Sequence, residues 1–257
     1  MGKIIVFANQ KGGVGKTTSA INIAASVGAK GKGVLLVDMD PQGNSSSGVG
    51  INKKSMKLST YDVLINRCTA EACVASTDFK NLSIMPSNIS LAGAEFELVS
   101  DEKRESRLKS ALAPIKENYD YIFVDCPPSL GVLTINSLVA ADGVIVPMQC
   151  EYYSMEGLSQ LIVTMKQVKR LYNPSLEIVG ILITMYNGRL NLSLQVMDEL
   201  KKYYAGKLFS TAVQRNVRLS EAPSYGMPIQ YYDKHSKGAI AYNEVANEIL
   251  DRIERQF

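Results

Sequence analysis

The feature that most constrains this chain is its opening, where an apolar run, a glycine cluster and a helical pattern follow one another. "KIIVF" (Lys3 to Phe7) is β-branched and apolar after its lysine, as a parallel strand buried on both faces must be. "TTSAINIAASVGAKG" then places Ala20, Ile21, Ala24, Ala25 and Val27 at helical spacing and stops at the Gly28 to Gly31 stretch. Between them lies "ANQKGGVGKTT". Gly15, Lys16 and Thr17 complete the phosphate-loop pattern G-x-x-x-x-G-K-[ST], yet Gln10 stands where its first glycine belongs. A second lysine, Lys11, precedes the glycines instead. Strand, loop and helix in that order are the context such a loop requires. Its successive backbone N–H groups, with the positive end of the helix dipole, wrap a polyphosphate. Gly12, Gly13 and Gly15 keep Cβ atoms out of the way and permit the backbone angles involved.

Apolar runs predict further strands at Val34–Val37, Leu82–Met85, Tyr121–Val124, Val144–Met148 and Ile178–Thr184, with a weaker candidate at Leu208–Val213. Helical spacing predicts helices near Thr17–Ala29, Ser90–Leu98, Glu105–Asn118, Thr134–Ala141, Met155–Leu171, Leu192–Tyr204 and Gly238–Glu254. Strands alternating with helices argue for an α/β fold with one doubly wound, mostly parallel sheet and helices on both faces. No linker, repeat or low-complexity tract interrupts the pattern, so residues 1–257 are expected to be a single domain. At 46% apolar and 21% charged residues the composition is that of a soluble globular protein. No secretory signal or membrane span is expected. Cys68, Cys73, Cys126 and Cys150 lack CxxC spacing and read as reduced thiols of a cytosolic protein. His235 is the only histidine, which nearly excludes histidine-based acid–base catalysis and multi-histidine metal sites.

In doubly wound sheets, ligands bind at the carboxyl ends of the strands. Three aspartates follow such ends: Asp38 and Asp40 in "GVLLVDMDPQGN" and Asp125 in "YDYIFVDCPPS". A polyphosphate site needs Mg²⁺, which takes hard oxygen ligands and keeps several waters. Thr17 can supply a hydroxyl, and Asp125 suits a carboxylate that holds a metal-bound water. Asp40 is a further candidate for the metal. Asp-Pro and Asp-Cys-Pro-Pro also open turns, so a purely structural role for Asp40 and Asp125 stays open.

Read in order, "KGGVGKTT", "LLVDMDPQGN", "DCPPSLG", "QCEYYSMEGL" and "NVRLSEAPSYGMPI" resemble a ParA/Soj-type partition ATPase from about residue 3 to about residue 245. The resemblance implies ATP and Mg²⁺ as cofactors, bound through a deviant Walker A motif, and a homodimer closed face to face around two nucleotides. It implies non-specific double-stranded DNA binding, a ParB-like centromere-binding partner that stimulates hydrolysis, and a cytoplasmic, nucleoid-associated protein that segregates a chromosome or plasmid. Gly12, Gly13, Val14, Gly15, Lys16, Thr17 and Thr18 would then hold the phosphates, Thr17 and Asp125 would serve Mg²⁺, and Asp40 would orient the attacking water. Gln214 and Asn216 match the segment that flanks adenine, Gln214 standing where many relatives carry proline. Phosphoryl transfer spreads negative charge over the phosphate oxygens, and an added cation lowers that barrier. In the family the lysine equivalent to Lys11 reaches the other subunit's phosphates, an arginine finger made from lysine. Relatives also use arginines equivalent to Arg189 and Arg218 on their DNA face. The alternative for Arg218 is a pair with Glu221, one helical turn away.

Charge supports a nucleic-acid partner modestly. The net charge is only +3, but residues 166–237 hold eleven Lys/Arg against five Asp/Glu. A solvated basic face explains that equally well without the resemblance. A MinD-like membrane ATPase needs a basic amphipathic tail. Here "NEVANEILDRIERQF" has four acids against two arginines, and Val245, Ile249, Ile253 and Phe257 form a core-facing stripe. "NKKS" at Asn52 to Ser55 lacks the aspartate of a guanine reader, and Pro127 and Pro128 beside Cys126 do not fit an iron–sulfur reductase. Tyrosines are scattered rather than gathered in a kinase-like tail. The chain starts at its first strand, so an N-terminal operator-reading helix-turn-helix is not expected. From a different class, a DNA-coating protein that uses ATP only as a clamp remains a rival reading.

Overall fold

The structure is a computed structural model that describes residues 2–256. Its strands are β1 (Lys3–Phe7), β2 (Val34–Asp38), β3 (Ala75–Ser76), β4 (Leu82–Met85), β5 (Tyr121–Asp125), β6 (Gly143–Met148) and β7 (Glu177–Ile183). They form one sheet in the order β3-β4-β2-β5-β1-β6-β7. Every pairing is parallel except β3 with β4.

Side chains alternate across a strand, so an unbroken apolar run has two faces that both need cover. Ile4 and Val6 join Leu35, Val37, Ile122 and Val124 in the core on one side. Ile5 and Phe7 join Val34, Leu36, Tyr121 and Phe123 on the other. Helices Val132–Ala140 and Ser154–Leu171 supply Leu133, Leu138, Leu158 and Leu161 to the first core. Helices Lys16–Ala29 and Lys237–Gln256 cover the second, the latter through Val245, Ile249 and Ile253 of the expected stripe. Phe257 lies outside the described residues. The expected doubly wound sheet is present.

Two local expectations fail for identifiable reasons. Leu208–Val213 forms no strand. It touches β7 through Phe209 N–H to Ile181 O (3.0 Å) and Val213 N–H to Ile183 O (2.9 Å). Between those two bonds the segment advances four residues while β7 advances two, so the register slips and only isolated bridges form. Glu105–Asn118 is not one helix but a 3₁₀ turn, the α-helix Arg107–Leu112 and a second 3₁₀ stretch, Ala113–Asn118. Pro114 lacks the N–H an α-helix needs there and restricts the residue before it. The antiparallel β3, only two residues long, is too short to leave a periodic signal.

Register positions the site. Phe7 and Asp38 flank Asp125 on the central rungs, so β1, β2 and β5 deliver their carboxyl ends to one place.

Candidate nucleotide and metal site

After β1 the chain passes through the glycine loop into helix Lys16–Ala29. Gly13 and Gly15 sit at φ of 73° and 80°, the left-handed region that a side chain resists. Gly15 is the helix N-cap and offers no side-chain acceptor to the first turn. Loop carbonyls, by contrast, are occupied. Thr184 at the end of β7 donates from Oγ1 to Val14 O at 2.8 Å, and Gln149 Nε2 donates to Gly13 O at 2.7 Å. Asn9 accepts the Lys11 N–H at 3.0 Å and donates to Pro147 O at 2.8 Å. The loop is therefore pinned to the ends of β6 and β7, and the N–H groups at the helix start are left for an anion. Lys16 is buried there, with Nζ donating to Lys11 O at 2.9 Å. Burial lowers its pKa, against the opposing pull of Asp125, Cys126 and Asp40.

Facing it are two fully buried carboxylates. Asp38 Oδ2 accepts from Ser46 N–H (2.8 Å) and Ser46 Oγ (2.7 Å), while its Oδ1 accepts from Asp40 N–H at 3.2 Å. Asp125 Oδ2 accepts from Ser45 Oγ at 2.8 Å, and the Thr17 hydroxyl lies near enough to favour the charged carboxylate. Burial raises both pKa values; the charge of Asp38 adds to the rise at Asp125. Asp125 Oδ1 is buried without a partner. Leaving such an acceptor unsatisfied costs about 1–3 kcal/mol, and a cation or a cation-held water relieves it. Asp40, also buried, accepts the Gln42 N–H at 2.9 Å, so the turn-opening role is real alongside any other. No cluster of three or more His, Cys, Asp or Glu side chains is arranged around a metal position among the described residues. A magnesium ion fits regardless, because it draws most ligands from phosphate and water. An uncapped helix start, a buried lysine and a hydroxyl beside an unpartnered carboxylate oxygen together suit a polyphosphate with a hard divalent cation.

A family model described as AAA domain matches residues 2–178. The sporulation initiation inhibitor protein Soj of Bacillus subtilis is 53% identical over 249 residues, which is 97% of this chain and 98% of that protein. The chromosome partitioning protein ParA of Myxococcus xanthus is 49% identical over 252 residues, covering 98% of this chain and 89% of that one. The chain belongs to the Soj/ParA family of chromosome-partitioning ATPases. Among solved structures, a Mycobacterium smegmatis protein described as cobyrinic acid a,c-diamide synthase, with bound ADP and magnesium, aligns with a TM-score of 0.86. It is 37% identical, covering 99% of this chain and 96% of that one.

In this Soj/ParA chain Gln214 and Asn216 line a cavity of about 460 Å³ that also contains Gly13, Gly15 and Thr18. Asn216 caps helix Val217–Glu221 by accepting the Arg218 N–H at 2.9 Å. The segment carrying Gln214 and Asn216 is thus brought to the glycine loop from far along the chain. An adjoining cavity of about 670 Å³ is edged by Arg189, Arg215 and Lys237. Arg189 is exposed. Arg218 instead pairs with Glu221 (2.9 Å) and Asp233 (3.5 Å), the alternative raised by its spacing. Asp38, Ser45, Ser46, Asn9, Gln149, Thr184 and Glu151 were not expected as site residues. Asp38 had a signal, its place at a strand end; the others depend on contacts that spacing does not carry.

The buried pair gives the ligand-free protein a pH dependence with a definite sign. An unfolded aspartate titrates near 3.8, whereas folding raises Asp38 to about 6 and Asp125 to about 7. The folded state holds these protons more tightly. Their contribution is fully present below 3.8 and lost as pH rises through about 6 and about 7. Thermal denaturation in metal-free buffer should therefore show stability falling by about 1.4 to 2.7 kcal/mol per pH unit across that window. Asp125→Asn should flatten the slope. A slope unchanged in that variant would mean the pair is not its source.

Proposed function

We propose that the chain is an ATP-dependent DNA-partitioning ATPase, one P-loop domain over residues 1–257. ATP binding drives dimerisation and non-specific binding of double-stranded DNA; hydrolysis, stimulated by a ParB-like partner, ends both. The protein is cytoplasmic and nucleoid-associated. No helix among the described residues is long and apolar enough to cross a membrane. The observation that carries the reading is the meeting of Lys16, Thr17 and the unpartnered Asp125 oxygen at an uncapped helix start.

The helix-start N–H groups and Lys16 bind the phosphates of ATP and fix their orientation. Thr17 and Asp125 hold Mg²⁺, directly or through water. When bound, Mg²⁺ neutralises phosphate charge and polarises the group to be transferred. Asp40, buried at the mouth of β2, orients the attacking water. Lys11 supplies a cation to the nucleotide of the second subunit. Gln214 and Asn216 flank the base, and Arg189 and Arg218 contact DNA phosphate.

Chromatographic sizing with ATP, ADP or no nucleotide, each with and without DNA, tests the cycle. Lys16→Ala should weaken ATP binding about 10- to 100-fold and abolish the dimer. Asp40→Ala should keep the ATP dimer on DNA while hydrolysis slows about 100-fold or more. Near-normal ATP affinity in the first variant, or an Asp40→Ala chain that stays monomeric at saturating ATP, would contradict these roles.

DNA contact predicts an ordered pair of effects. Each lost phosphate contact lowers the salt slope of log affinity by about 0.9. Arg189→Ala should do so with the ATP dimer intact and on any sequence. Arg218→Ala should cost less, because its guanidinium is shared with Glu221 and Asp233. Salt titrations on two unrelated duplexes check this; an unchanged slope in the double variant would move the DNA face elsewhere.

A further inference from the structure

Lys11 is held at three separate points. Its N–H is accepted by Asn9 Oδ1 at 3.0 Å, its carbonyl accepts Lys16 Nζ at 2.9 Å, and its ammonium is ion-paired with Glu151 Oε2. Two of the three restraints originate at β6. Asn9 is tied to Pro147 O within that strand, and Glu151 follows it in a turn closed by Ser154 N–H to Glu151 O at 3.0 Å. That turn opens helix Ser154–Leu171, so the backbone carrying Glu151 is fixed. The pair itself faces solvent, with the two side chains 34% and 50% exposed.

We infer that Glu151 is a positioning residue for Lys11, holding the ammonium on its own subunit in the nucleotide-free chain. The inference rests on the trans role given to Lys11 above. A cation paired with its own carboxylate must leave that carboxylate before it can serve phosphates on another subunit. Nucleotide binding loosens the arrangement from the other side. The Nζ of Lys16 that now donates to the Lys11 carbonyl is the group a polyphosphate at the helix start competes for. Once Lys16 is drawn away, Glu151 is the remaining restraint on the side chain. The second lysine is thereby withheld until a partner's phosphates outcompete Glu151.

The expected size is modest. Breaking an exposed ion pair shifts an equilibrium about two- to fivefold. Two such pairs break per dimer, so removing them should lower the dimer dissociation constant about four- to twenty-five-fold. Salt screens the pair, so the difference should narrow as ionic strength rises.

The test compares wild type with Glu151→Gln, which keeps the side-chain shape and removes the charge. Acylation of Lys11 by acetic anhydride in the nucleotide-free protein, read by mass spectrometry, should rise about two- to fivefold in the variant, with exposed Lys109 unchanged as the internal reference. Sedimentation with a non-hydrolysable ATP analogue should then show the tighter dimer. Unchanged Lys11 acylation would overturn the tether. A more reactive Lys11 with unchanged or weaker dimerisation would overturn the withholding role. A wild-type chain that binds the analogue yet stays monomeric would instead sink the trans reading, and the acylation result would still decide whether Glu151 holds Lys11.

Discussion

Two aspartates buried side by side dictate much of the arrangement around them. Parallel pairing of β2 with β5 puts Asp38 and Asp125 on one rung, both fully buried. Neither can be left bare in a medium where an isolated charge costs several kcal/mol. Asp38 is met by the backbone and hydroxyl of Ser46, and Asp125 by Ser45 and Thr17. The short helix Asn44–Gly48 therefore lies where it does because its serines answer the two carboxylates. One oxygen, Oδ1 of Asp125, stays unanswered by protein. That atom, beside Ser45 and Thr17, is where the proposed cation would sit.

The same edge connects the glycine loop, the segment carrying Gln214 and Asn216, and the turn bearing Glu151. Thr184 and Gln149 hold the carbonyls of the phosphate loop from β7 and from the turn after β6. Beyond β7 the chain bonds to the base segment through Tyr186 N–H to Val213 O at 3.0 Å. At the far side of the loop, Ser19 and Tyr242 hydroxyls meet at 3.1 Å, joining the phosphate-loop helix to the C-terminal one. The loop is thereby joined to the segment carrying Gln214 and Asn216 and to the cavity edged by Arg189, which Glu151 also lines.

Much of this was legible in the residues. The strand–loop–helix opening gives away the phosphate site because glycine, lysine and threonine are each required there by chemistry. Asp125 was legible because an apolar run ending in aspartate is costly without a function. What escaped was contact between distant segments. Glu151 lies 140 residues from Lys11, and nothing in "QCEYYS" announces the pair. Nothing in the sequence ties Ser45 and Ser46 to the carboxylates they serve. The pair of Arg218 with Glu221 was legible in their spacing of three, whereas its second carboxylate, Asp233, was not. The weak strand at Leu208–Val213 was lost to a register slip, four of its residues opposing two of β7.

The most direct measurement is a crystal grown with Mn²⁺ in place of Mg²⁺ and a non-hydrolysable ATP analogue, with anomalous data collected at the manganese edge. The expected result is one peak per subunit, about 2.1 Å from the Thr17 hydroxyl and bridged to the free oxygen of Asp125 directly or by one water. The terminal phosphate should lie on the Lys16 side of it. A peak remote from Asp125, or nucleotide bound with that oxygen still unpartnered, would contradict the claim that the buried carboxylate rung exists to complete a metal–nucleotide site.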